Sequence, residues 1–122
     1  MMKNLEQIRA SAALDPAKSL DKSAVNKLPA MIMSNGLLAT IAFCHSESSG
    51  DNRSHMEQAL IATARHLAGQ NLAAADTNDL MAFAQDLSSR DSHHLQRATA
   101  EALLFIGYLR RFAKKDKNAS DN

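Results

Sequence analysis

Apolar residues recur at spacings of three and four along most of the chain, the period of helices that bury one face. The first such pattern opens at Asn4, an N-cap residue with Gln7 three positions on, and runs through Leu5, Ile8 and Ala12. Asp15-Pro16 is expected to kink or restart it, because proline inside a helix costs roughly 3 kcal/mol. Residues 28–43 are apolar on nearly every face (Leu28, Met31, Ile32, Leu37, Leu38, Ile41, Phe43), which predicts a central buried helix with Pro29 in its first turn. Asn35-Gly36 is also the strongest local hairpin signal, so two short strands are the alternative there. The spacing 28, 32, 35, 39, 43 keeps helical phase through the glycine, and on the helical reading Gly36 marks a close approach of another backbone.

Residues 44–53 are polar and predict a loop. Ser54 with Glu57 reads as a capping box for a third helix carried by Met56, Leu60, Ala64 and Leu67 and stopped by Gly69. Asp76 or Thr77 would cap a fourth, with Leu80, Phe83, Ala84 and Leu87 inward. Asp91 or Ser92 starts the fifth and strongest pattern: Leu95, Ala98, Ala102, Phe105, Leu109 and Phe112. The polar tail, about 116–122, is expected to fray.

Composition strengthens the helical reading. Roughly one residue in five is alanine, and there are only 4 glycines and 2 prolines in 122 residues. No apolar-polar alternation long enough for a half-buried strand occurs, and no repeat at a solenoid period. The expectation is an all-α, single-domain helical bundle of about five to six helices over residues 1–122, a length that buries a core without staples. One cysteine, Cys44, excludes an internal disulfide and fits a reducing compartment. With neither a signal-peptide run at the start nor a membrane-spanning apolar run, the expected location is the cytoplasm.

Catalytic chemistry finds little to rest on. His93 and His94 are adjacent and diverge by about 100° on a helix, so they do not share one ion. His45 and His55 lie in or beside the polar loop, and His66 stands alone on an amphipathic helix. No His pair has zinc-site spacing, and the five histidines are read as solvated. Cys44 beside His45 lacks the spatial base and orienting group that a nucleophile needs, and it extends an apolar face, so it is read as packed. Gly36, Gly50, Gly69 and Gly107 are too scattered for a phosphate loop. A non-enzyme without metal, cofactor or small-molecule substrate is expected.

Charge is polarised behind a net value of +1. Residues 1–44 hold five basic and three acidic side chains, 45–91 three and seven, and 92–122 six and three. Both ends are basic and the middle is acidic. Basic residues in a last helical turn complement the macrodipole, but Arg110, Arg111, Lys114, Lys115 and Lys117 exceed that need. Contact with a phosphate backbone is the alternative explanation. On the last helix Arg97, Glu101, Tyr108, Arg111 and Lys115 share a face opposite the apolar stripe.

Three stretches together resemble a known family. Lys27-Leu28-Pro29-Ala30-Met31-Ile32, followed by Asn35-Gly36-Leu37-Leu38-Ala39-Thr40-Ile41-Ala42-Phe43, is similar to the signature of the small helical subunit of type III-B CRISPR effector complexes, the Cmr family. Arg97-Ala98-Thr99-Ala100-Glu101-Ala102-Leu103-Leu104 with Tyr108-Leu109-Arg110-Arg111-Phe112-Ala113 looks like its closing run, with Tyr108 where the family often has tryptophan. Leu5-Glu6-Gln7-Ile8-Arg9-Ala10 matches its usual start. The resemblance implies a non-catalytic subunit in antiviral defence that stacks in copies along an RNA-guided complex. Backbone and large subunits would be its neighbours, and it would help hold target RNA beside the guide RNA by its backbone, with no membrane involved. On that reading Arg9, Lys27, Arg97, Arg110, Arg111 and Lys114 are the expected phosphate contacts. Glu101 is expected to accept hydrogen bonds from a second helix or a partner. The other reading is a helical protein-protein adaptor without RNA contact, its basic ends docking on acidic surfaces.

Overall fold

Asn4 opens the first helix as its sequence predicts: its Oδ1 accepts the Gln7 N–H at 2.8 Å, and Gln7 Oε1 accepts the Asn4 N–H at 2.9 Å. The computed structural model describes residues 3–46, 51–74 and 79–114. Their regular structure is helical: α1 Leu5–Ala17, α2 Lys22–Val25, α3 Leu28–Asn35, α4 Leu37–Ser46, α5 Asp51–Gly69, α6 Leu80–Ser88 and α7 Ser92–Phe112. Six of these have eight or more residues and α2 is a single four-residue turn, so the expected all-α bundle of about five to six helices holds. The expected tail, 116–122, lies outside the described residues.

Pro16 does not interrupt α1. It occupies the last turn, where the chain leaves the helix two residues later at Lys18, so few bonds remain for it to disturb. Burial of Ala13 and Ala17 against the core holds that turn in place. The inward face of α1 differs correspondingly from the expected Leu5-Ile8-Ala12 stripe. Leu5 is 48% exposed, whereas Ala13 and Ala17 are buried.

The central helix expected over 28–43 is two helices. Gly36 has φ +95° and ψ 160°, its N–H closes α3 on Ile32 O at 2.8 Å, and its carbonyl accepts from both Thr40 N and Thr40 Oγ1. A Cβ there would meet nothing within 4 Å, so the glycine serves backbone conformation and not the close approach that was expected. Apolar phase survives the break because both halves face the core, Leu28 and Ile32 before it and Leu37, Ile41 and Cys44 after it. The hairpin alternative is excluded, since 28–35 and 37–46 are helical.

Capping differs from expectation at two more ends. α5 begins at Asp51, so Ser54 lies inside the helix, where its Oγ accepts from Gln58 Nε2 at 3.4 Å. Its far end is turned by Asn71, at φ +62°, with Leu72 N–H reaching Leu67 O at 2.8 Å and Asn71 N–H reaching Ala68 O at 3.1 Å. That is a Schellman arrangement with asparagine in the left-handed position, and Gly69 is merely the last helical residue. Asp79 caps α6 by accepting from Ala82 N at 2.8 Å; Asp76 and Thr77 lie outside the described residues. Of the expected loop 44–53, only 47–50 separate α4 from α5, and these are likewise not described.

α7 is the axis of the bundle and packs against α1, α2, α3, α5 and α6. Its Ala98, Ala102, Phe105, Ile106 and Leu109 are buried together with Leu28, Ile32, Leu60, Leu67, Phe83 and Leu87. After α7 the chain pairs with the start of α2, where Lys22 N–H donates to Lys114 O at 2.9 Å.

Candidate nucleic-acid interface

From Asp91, whose carboxylate caps α7 through the His94 N–H, the helix runs 21 residues with a single acidic side chain, Glu101, and that side chain is buried. Buried positions take up one side of the helix. Arg97, Arg110 and Arg111, with Lys114 just beyond the end, are exposed on the rest. Between Ser92 and Lys114 the helix therefore presents four cations and no carboxylate to water. Arg97 and Arg110 are about 20 Å apart along the axis at 1.5 Å per residue. The macrodipole offers only about half a charge, within the last turn, and accounts for neither Arg97 nor the whole cluster.

A corner forms where the end of α7 meets α2 and the start of α3. Arg110 Nε donates to Asn26 Oδ1 at 3.1 Å, and the Lys22–Lys114 backbone bond closes the same corner. Lys27, the exposed N-cap residue of α3, follows Asn26 directly. Lys22, Lys27, Arg110 and Lys114 are thus brought together from distant parts of the sequence. Asp21, the acid beside them, is turned inward: its Oδ1 is buried and its Oδ2 accepts from the Ser23 hydroxyl. Its backbone N–H donates to His55 Nδ1 on α5 at 3.2 Å. Lys22 was not among the expected contacts. Only the chain's return from α7 to α2 reveals it.

Arg9 stands elsewhere. Its Nε and Nη2 form a two-pronged ion pair with Glu101, each at 2.8 Å, and His66 Nε2 lies 2.7 Å from the same carboxylate. His66 is buried and stacks on Phe105, with ring centroids 4.5 Å apart and planes 9° from parallel. Burial pushes the Glu101 carboxyl up, but hydrogen bonds from Arg9 and His66 and the Arg9 charge outweigh it and hold the carboxyl below its usual range. The hydrogen bond to Glu101 raises Arg9 in turn, with a smaller contribution from Tyr108. An ionised Glu101 accepts only, so His66 carries its proton on Nε2. The cluster ties α1 and α5 to α7. Glu101 does accept from other helices as expected, whereas Arg9 is engaged inside the fold and His66 is not the solvated residue its lone position predicts. Glu101 likewise leaves the expected exposed face of α7 and Tyr108 is half-buried there, because α1 covers part of that side.

The other expected sites are dispersed. His94 Nε2 donates to Leu72 O at 2.7 Å, His45 and His93 are exposed on different helices, and Cys44 is buried as expected. Among the described residues no three His, Cys, Asp or Glu side chains are grouped to hold a metal ion. No described helix is long and apolar enough to cross a membrane.

Residues 2–116 match the family model of a CRISPR-associated protein (Cas_Cmr5), a span that takes in every helix from α1 to α7 and both basic ends. No curated protein and no solved structure matches the chain. With nearly its whole length matched, the chain belongs to the Cas_Cmr5 family of CRISPR-associated proteins, the small subunits of type III-B CRISPR complexes.

Proposed function

We propose that this subunit helps hold target RNA by its phosphate backbone, using the exposed face of α7 and the α2–α3 corner. The observation that carries this reading is the acid-free exposed face between Ser92 and Lys114, continued by Lys22 and Lys27. Arg97, Arg110, Arg111, Lys114, Lys27 and Lys22 are the contacts. Arg9 is set aside because Glu101 already occupies its guanidinium. Phosphate contacts position a strand and carry no sequence information, which suits a complex whose guide RNA reads sequence by base pairing. The chain breaks no bond itself. It acts in the cytoplasm, in antiviral defence, beside the backbone and large subunits and further copies of itself.

Binding of single-stranded RNA measured against salt tests the reading. Four of these six contacts engaged at once give a log-log slope of about −3. A slope indistinguishable from zero refutes direct contact. The adaptor reading has its own support in an apolar cleft between α4 and α6, lined by Ile41, Ala42, His45, Leu80, Met81 and Ala84. Arg110→Glu with Arg111→Glu separates the two. Lost RNA binding with intact assembly supports the RNA reading, and lost assembly with intact RNA binding supports the adaptor.

A further inference from the structure

Beside the cations of α7 runs a ladder of apolar and aromatic side chains at four-residue spacing, Leu104, Tyr108 and Phe112. Leu104 is 50% exposed and Phe112 38% exposed, although both lie on the helix that supplies most of the core. The Tyr108 and Phe112 rings are 6.2 Å apart between centroids and tilted by 37°, a small aromatic platform in which Phe112 is exposed and Tyr108 is half-buried against the core. Arg111 lies between them in sequence and is exposed. Its Nη1 is 3.4 Å from Gly107 O, so the guanidinium folds back along the helix.

We infer that this platform stacks bases of single-stranded RNA while Arg111 and Arg97 hold the neighbouring phosphates. The inference rests on the phosphate-contact reading and adds to it what the RNA's bases do. A nucleotide offers a flat π-face beside an anionic group, and the patch offers aromatic faces beside cations. Stacking tolerates any base, because every base has such a face. Acidic side chains are absent from the exposed surface of α7, so its charge complements a phosphate strand.

The chain contains its own probe: Tyr108 is the only tyrosine and there is no tryptophan, so ultraviolet-excited emission reports this one position. Oligoadenylate titrated into the full chain at low salt should quench that emission. An abasic ribose-phosphate strand of equal length should bind roughly 5- to 150-fold more weakly for each stacked base lost and leave the emission unchanged. Phe112→Leu should weaken oligoadenylate binding at least several-fold while keeping the affinity for the abasic strand. The comparison of the two strands on the unaltered protein stands whether or not the variant folds. Equal affinity for both strands, with no quenching and a salt slope near −3, overturns stacking and leaves the phosphate reading intact. Failure of both strands to bind at any salt overturns both readings. Phe112→Leu that releases the chain from its protein partners with RNA affinity unchanged identifies the platform as a protein contact and also overturns the inference.

Discussion

Removing either arm of the Arg9–Glu101 pair strands the other charge in a place where water reaches it poorly. The two side chains are only 15% and 10% exposed, and two parallel hydrogen bonds of 2.8 Å join them. Breaking such a pair costs about 3–5 kcal/mol, and the residual exposure of Arg9 favours the lower end. Arg9→Met and Glu101→Leu are therefore each expected to cost about 3 kcal/mol. At roughly 3–6 °C per kcal/mol for a chain of this size, each should lower Tm by about 10–18 °C. The double variant removes both charges and leaves only the His66 Nε2–H without its acceptor, a loss of about 1–3 kcal/mol. Urea denaturation followed by circular dichroism should then give a coupling energy of about 3–5 kcal/mol across the four proteins. Additive single costs, with coupling below about 0.5 kcal/mol, would refute the claim that the pair acts as a unit.

Acid sharpens the same experiment. Glu101 is held below its unfolded value of 4.5, so its stabilising contribution is complete above that value and is lost as the pH falls through the folded one. In Arg9→Met the burial that raises the carboxyl is opposed by His66 alone. The penalty of that substitution should therefore shrink on acidification below about pH 4.5, measured as the difference in urea midpoint.

Smaller perturbations test other parts of the fold. Gly36→Ala must place a side chain at φ +95° and should cost about 1–3 kcal/mol in urea, although open space surrounds it. Gly107→Ala should stabilise by about 0.5–1 kcal/mol, since a Cβ there meets only Arg111 Nη1 at an ordinary 3.5 Å. Arg97→Gln should reduce the RNA salt slope by about 0.7 and leave Tm within about 2 °C, an unchanged slope removing Arg97 from the interface.

Burial of the apolar positions from Ala98 to Leu109 on α7 and from Met56 to Leu67 on α5 was legible because they repeat over several turns, so local pattern and tertiary environment agree, whereas Phe112, at the end of the same stripe, is exposed. Gly36 was not legible: the positions on either side of it keep helical phase, and the turn between them is a matter of one backbone torsion that periodicity does not register. Asn71 was missed for the same reason, with Gly69 the more conspicuous residue nearby. In the interface, the basic character of the C-terminal helix could be read directly, while the fate of each cation depended on partners far off in sequence. Arg9 finds Glu101 92 residues away, and nothing within its own helix distinguishes it from an exposed arginine. Lys22 joins the basic corner only through the carbonyl of Lys114.

Two consecutive amides carry mechanical consequences for that corner. Asp21 N–H is anchored to His55 on α5, and Lys22 N–H to the carbonyl of Lys114 at the end of α7. Any load on Lys114 therefore reaches a joint shared by α2, α5 and α7, where one backbone bond and one bond to a histidine ring share the strain. The end of α7, which would otherwise be the easiest turn to peel away, becomes a clamped edge, the footing that the proposed RNA contact requires.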